Sequence, residues 1–238
     1  MKRFRNSVLR VLCFSVCMVV AARADITVGL PADSDTGNCF PFGCGYIGEY
    51  QQVYTSSQFP SAVTITGLEF FNTVFNDGAT AMNSGTWTIS LSETSADWNT
   101  LSATFAANIG ADNTEVFSGN LSQPWAFGDT LSIPFTTPFS YNPADGNLLV
   151  DVQAVGTSEP GGVIYFDSNG FDHGGFDGDT TMGRVYNSGL VLNHGYGLVT
   201  EFVTGPTTST VVPEPTSILL FGTGLLGLIR IARRKRNS

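Results

Sequence analysis

From Asp25 onward, apolar side chains recur at every second position rather than every third or fourth. Trp87, Ile89 and Leu91 alternate with Thr86, Thr88 and Ser90. A period of two places one set on each face of a strand, so this stretch buries one face and wets the other. Similar runs cover Glu49–Thr55, Ala62–Val74, Thr114–Ser118, Thr130–Phe135, Asn147–Val155, Gly162–Asp167, Gly183–Tyr186 and Gly197–Thr204. Turn-forming stretches such as Asn76-Asp77-Gly78 and Asp145-Gly146-Asn147 separate them. Ala96–Ala107 is open to two readings, a short helix or a long connection. Many short strands with almost no helix predict an all-β fold, a single β-sandwich. Long Gly-rich loops favour a jelly-roll-like sandwich over an immunoglobulin-like one. No internal repeat is evident, which argues against a propeller or solenoid.

Charge is segregated along the chain. Residues 25 to 212 hold 19 acidic residues against one base, Arg184. Every other Lys or Arg lies before Asp25 or after Ile229. A surface of this sign repels nucleic acid and anionic headgroups, and it suits cations, neutral sugars or solubility. No nucleic-acid partner is therefore expected.

The N-terminal 24 residues read as a secretory signal peptide. Lys2, Arg3, Arg5 and Arg10 supply the positive start, Val11–Val20 the apolar stretch, and Ala22-Arg23-Ala24 a small-x-small cleavage site. Export through the Sec translocon and cleavage by signal peptidase would leave Asp25 at the mature N-terminus. The apolar run is too short for a comfortable bilayer span. Two cysteines lie beyond the signal, in Cys39-Phe-Pro-Phe-Gly-Cys44. In an exported chain this spacing predicts a disulfide that closes a small loop.

The C-terminus has three parts in strict order. A Thr-rich linker occupies residues 205–212, followed by Pro213-Glu214-Pro215. Residues 216–229 are then apolar, and a basic cluster of Arg230, Arg233, Arg234, Lys235 and Arg236 follows. A hydrophobic helix here is expected to anchor the chain, and the basic cluster would hold its far end in the cytoplasm. Residues 213–238 together resemble the PEP-CTERM sorting signal of Gram-negative and related bacteria. The resemblance implies processing near Pro213, Glu214 and Pro215 by an exosortase, a membrane-embedded cysteine transpeptidase. It also implies transient inner-membrane anchoring, then delivery to the outer surface or extracellular matrix of bacteria that secrete exopolysaccharide. The stretch from Phe139 to Val152, and the one from Tyr50 to Leu68, resemble β-domains that precede this signal. That likeness extends over most of residues 46–204, supports the fold class of a domain at residues 25–204, and carries no activity.

Chemistry in the middle is sparse. Asp167, Asn169, Asp172, Asp177 and Asp179 lie on a Gly-rich stretch, and such oxygen ligands suit a structural Ca²⁺. The alternative is a solvated loop whose Asp, Asn and Gly supply turn geometry. The stretch lacks the spacing and closing Glu of an EF-hand. His173 and His194 have no metal-ligand spacing. Glu49, Glu69, Glu93 and Glu201 lie on or near strands, but no spacing selects two of them for glycoside hydrolysis. Trp98, Trp125, Tyr46 and Tyr141 lie in or near loops, where they would stack on sugars or plug the ends of the sandwich. No nucleophile elbow, phosphate loop or nucleotide fingerprint is present. The expected function is thus a non-enzymatic exported protein. A carbohydrate-binding module for exopolysaccharide and a polysaccharide hydrolase are the rival classes.

Overall fold

A computed structural model describes residues 24–29, 37–44, 48–73, 81–82, 84–158, 162–169, 180–186, 190–192 and 195–205. The chain divides into two compact units, Met1–Pro206 and Thr207–Ser238, and the described residues all belong to the first. The expected signal peptide and the expected C-terminal helix lie outside them.

The described fold is all-β, with thirteen strands in three antiparallel sheets. One sheet has the order β1-β13-β4-β7, built from Ile26–Val28, Thr200–Gly205, Val63–Phe71 and Thr130–Tyr141. The second has the order β11-β10-β3-β8-β5-β6. Its strands are Leu190–Leu192, Met182–Tyr186, Glu49–Tyr54, Asn147–Ser158, Ser84–Thr94 and Thr114–Gly119. A small third sheet joins β12 (Gly197–Leu198), β9 (Phe166–Asn169) and β2 (Gly37–Asn38).

The alternation in Thr86–Ser92 does what its period requires. Trp87, Ile89 and Leu91 are fully buried, while Thr86 is exposed and Thr88 and Ser90 are half-buried. The inner faces of the two larger sheets meet through aromatic rings. Tyr54 of β3 lies edge-on to Phe202 of β13 at 4.9 Å between centroids. Phe59 in turn packs against Phe202 at 5.1 Å and Tyr141 at 4.8 Å. Such pairs contribute about 0.5–1.5 kcal/mol each beyond the apolar area they bury.

The expected disulfide joins Cys39 to Cys44, with 5.0 Å between Cα atoms. Its loop pushes Phe42 into the core, where the ring is wholly buried. Phe42 sits 5.3 Å from Trp87 of β5, 5.0 Å from Phe70 of β4 and 6.0 Å from Phe166 of β9. One side chain of a six-residue loop thereby touches all three sheets.

Residues 95–113 connect β5 to β6. This stretch is the long connection rather than a helix, and its only helical turn is a 3-10 turn at Phe105–Ala107. It lies as a strap on the outer face of the six-stranded sheet. Leu101 packs with Val53, Leu149 and Val185 in a second, smaller apolar cluster, with Ala96, Phe105 and Ile109 against it.

Several strands depart from the sequence reading. Gly162–Asp167 yields only its last residues to β9, which runs on to Asn169. Gly197–Thr204 is split at Val199 into β12 and β13, because the two halves pair with different sheets. β7 runs through Pro134 and Pro138 to Tyr141, as an edge strand of its sheet permits.

Candidate functional site

The most unusual chemistry lies on the outer face of the six-stranded sheet. β3 and β8 pair so that Glu49 faces Gln153 and Gln51 faces Asp151. β8 and β5 pair so that Ser90 faces Asp151 and Thr88 faces Gln153. Alternation turns all of these side chains outward, because Tyr50, Val152 and Ile89 between them go into the core. The result is a polar strip beside the strap.

Within the strip Glu49 and Asp151 lie diagonally across the β3–β8 pair on the same outward face. Asp151 is 3% exposed, and its Oδ2 accepts a 3.4 Å hydrogen bond from the Gln153 amide. Its Oδ1 has no hydrogen-bond partner. Two neighbouring carboxylates repel each other when both are ionised, which favours the protonated form of Glu49. Burial first, and then the neighbouring Asp151 carboxyl, raise the Glu49 carboxyl to about 7. Burial also raises Asp151, with the Gln51 amide opposing.

The same strip is tied to the strap through Gln51, which is wholly buried. Its Nε2 donates to the Phe105 carbonyl at 3.2 Å, and its Oε1 accepts from Asn108 Nδ2 at 2.8 Å. Asn108 also organises the strap itself, since its Oδ1 accepts from Ser102 N at 2.8 Å.

A second unusual group faces the opposite way. Arg184 of β10 is 4% exposed, and it is the single base between residues 25 and 229. Its guanidinium carbon lies 4.2 Å from the Tyr196 ring centroid and 5.0 Å from that of Tyr186. Its Nε and Nη1 have no hydrogen-bond partner. The Tyr50 hydroxyl beside it is held above the usual tyrosine range by burial, with the guanidinium pulling it back. A buried guanidinium surrounded by tyrosines, with Nε and Nη1 unpartnered, is costly. Replacing it with an apolar side chain of similar length should therefore help. Arg184→Met is expected to stabilise the protein by about 1–2 kcal/mol in chemical denaturation. A loss of stability would mean that Arg184 holds a counter-ion.

The residues singled out from sequence fare unevenly. Asp167 is wholly buried, and its carboxylate accepts from Thr73 N at 2.8 Å and from Thr73 Oγ1 at 2.5 Å. It therefore pins the chain leaving β4. Asn169 is 2% exposed and donates to Thr181 Oγ1 at 3.4 Å. Asp172, Asp177 and Asp179 of the expected Ca²⁺ loop lie outside the described residues, as do His173, His194 and Tyr46. Among the described residues no group of three or more His, Cys, Asp or Glu is placed to hold a metal ion.

Two of the four aromatic candidates for sugar stacking are core residues. Trp125 is 3% exposed and packs on Phe166 at 5.3 Å. Tyr141 is 1% exposed, and its hydroxyl donates to the Gly146 carbonyl at 2.9 Å. Both plug the fold, and neither offers a ring face to a ligand. Trp98 is half-buried in the strap.

Of the four glutamates, register sets Glu69 opposite Glu201 on β4 and β13. Glu201 Oε2 also accepts from Thr27 Oγ1 at 3.1 Å. Glu93 is structural, since its Oε1 accepts from Asn142 N at 2.9 Å and so holds the turn between β7 and β8. The partner of Glu49 is Asp151, which sequence reading missed. No spacing in the sequence joins them, since only the β3–β8 register makes them neighbours.

Comparison with known proteins bears on the other end of the chain. The PEP-CTERM protein-sorting motif matches residues 211–236. The chain carries a PEP-CTERM sorting motif, the signal that marks a substrate of exosortase. The match takes in Pro213, Glu214 and Pro215, the apolar stretch and the basic cluster. A PEP-CTERM signal implies export and delivery to the cell surface or beyond by way of a transient membrane anchor. Among the described residues no helix is long and apolar enough to cross a membrane, and the matched stretch lies outside them. Neither a curated protein nor a solved structure matches the chain.

Proposed function

We propose that this PEP-CTERM protein is a non-enzymatic component of the cell envelope or extracellular matrix, with its β-unit delivered as cargo. The observation that carries the reading is the sorting motif at residues 211–236. In the proposed sequence of events, signal peptidase frees Asp25 and the C-terminal helix holds the chain in the membrane. Exosortase then cuts near Pro213-Glu214-Pro215. Prolines flanking Glu214 keep that site extended, and the Thr-rich linker keeps it away from the folded unit.

The cargo is proposed to be a jelly-roll-like sandwich. Strand order supports this. Each larger sheet interleaves early and late strands, as β1-β13-β4-β7 and β3-β8-β5-β6. Two antiparallel sheets interleaved in this way are what folding a pair of Greek keys over one core produces. The β10–β11 hairpin then extends one edge beside β3.

Glu214→Ala should leave full-length precursor in the membrane fraction of an exosortase-bearing host, while the wild type is shortened and released. Equal release of both would overturn the sorting role. A second reading, binding of a neutral polysaccharide, is favoured by the strip of Glu49, Thr88, Ser90 and Gln153, whose hydroxyl, amide and carboxyl groups are held on paired strands. A glycan array probed with the released protein tests it, and an array without hits would remove it.

A further inference from the structure

Arg184 carries a charge that the described residues do not balance. Alternation along β10 fixes where it points. Gly183 and Val185 turn outward, towards the strap, so Met182, Arg184 and Tyr186 turn into the fold. The guanidinium is 4% exposed, and its Nε and Nη1 have no hydrogen-bond partner. The N–H of Nε and both N–H groups of Nη1 are therefore unpaired.

The residue that register sets opposite Arg184 on β3 is Gln52. Its Oε1 is already taken, since it accepts from the Tyr50 hydroxyl and from Leu198 N at 2.8 Å. Its Nε2 donates to the Leu198 carbonyl at 2.9 Å. The buried carboxylates among the described residues are engaged or turned away. Asp167 holds Thr73, and Asp151 stands on the outer face of the sheet. A guanidinium does not lose its proton in a protein, so this charge is met by an anion or stays unbalanced.

The walls around Arg184 are fixed in place. The Tyr196 and Tyr186 rings lie 4.2 and 5.0 Å from the guanidinium carbon. The Tyr196 hydroxyl donates to the Gly37 carbonyl at 3.5 Å and accepts from Ser168 Oγ at 3.4 Å, which ties its ring to β2 and β9. Phe40, on the disulfide loop, packs on Tyr186 at 4.6 Å. Ring faces attract a cation, but they offset only part of the cost of taking it out of water. The cage reaches solvent at its rim, where Tyr186 is 8% and Tyr196 9% exposed and Phe40 is half-buried.

We propose that Arg184 and its aromatic cage bind one small monocarboxylate anion. A single negative charge balances the single guanidinium. A dianion such as phosphate would leave an excess of negative charge in a unit already rich in acids. A carboxylate offers about four lone-pair sites on two oxygens, enough for the unpaired N–H groups of Nε and Nη1. Its apolar substituent packs against the tyrosine faces, a contact that a hydrated sphere such as chloride lacks. A free acid and the carboxyl of a uronic acid share this chemistry.

Thermal melts of the full-length chain in non-ionic detergent at about pH 7 test the site, with acetate replacing chloride at constant ionic strength. The wild-type midpoint should rise with acetate, by about 5–10 °C at a hundredfold excess over the dissociation constant. Arg184→Met should start higher and not respond. Arg184→Lys, which keeps the charge without the planar set of donors, should need at least about tenfold more acetate. Carbon-13 NMR of labelled acetate should show one bound ion on the wild type, a reading that holds even where a variant fails to fold. Glucuronate in place of acetate separates the sources. An equal rise admits the carboxyl of an acidic sugar, and a rise with acetate alone assigns the site to a free acid. A wild-type midpoint that does not move when acetate replaces chloride overturns the proposal. So does an equal rise in Arg184→Met, or labelled acetate that stays wholly free.

Discussion

Phe42→Ala lowers the stability of the β-unit by about 3–5 kcal/mol, the range for removing a buried aromatic ring. The ring is wholly buried and lies between Trp87, Phe70 and Phe166. No neighbour is free to fill the space, since each of the three rings belongs to a different paired strand. In a domain of this size each kcal/mol moves the midpoint by about 2–4 °C, so Tm falls by roughly ten degrees. The comparison that gives the number meaning is the double substitution of Cys39 and Cys44 by serine. A disulfide closing so short a loop contributes only about 2 kcal/mol of chain entropy. Thermal melts without reductant should therefore rank Phe42→Ala as the greater loss. The reverse order would mean that the bridge, and not the ring, holds the loop in place.

Gly183→Ala dislodges the strap. A Cβ at Gly183 would lie 2.1 Å from the Trp98 carbonyl oxygen and 2.8 Å from its carbonyl carbon. Both are backbone atoms, so the collision cannot be relieved by a rotamer. Gly110 is the second tight point, where a Cβ would lie 1.7 Å from the Glu93 carbonyl oxygen. The strap thus rests on the sheet at two places where only glycine fits. Overpacking of this kind costs about 1–3 kcal/mol or more. Trp98 reports the movement, because Trp87 and Trp125 are buried in the core away from the strap. Emission from Gly183→Ala should shift to the red as Trp98 meets water. An unshifted spectrum with undiminished stability would show that the backbone accommodates the methyl without lifting the strap.

The strap also shows where sequence reading stops. Leu101, Phe105 and Ile109 stand four apart, a helical spacing, and Ala96–Ala107 reads equally as helix or connection. In the fold those three side chains are held by Val53, Leu149 and Val185, and by Asn108, which ties Ser102 back. Tertiary contacts decide where local preference is balanced. β5 needed no such help, because its alternation is long and one face is buried. The strands β1, β2 and β11 have two or three residues each, too few for a period to show. The disulfide was legible because both cysteines lie within one turn of chain. The Glu49–Asp151 pair was not, because β3–β8 register alone brings the two together from distant parts of the sequence. For Trp125 and Tyr141 loop position left stacking on a sugar and plugging the sandwich both open, and the fold takes the second.

The first and last strands of the unit are neighbours. β1 pairs antiparallel with β13, and Asp25 Oδ1 accepts a 2.7 Å hydrogen bond from Thr204 N. The chain therefore enters the sheet where it leaves. This has a mechanical meaning for a protein tethered through its C-terminus. Tension drawn through Gly205 alone pulls β13 lengthwise between β1 and β4, so the hydrogen bonds on both flanks bear the load together. Tension applied between residue 24 and Gly205 would instead peel β1 from β13 one bond at a time. In the proposed processing, removal of the leader before Asp25 would take away the weak direction of pull and leave the strong one.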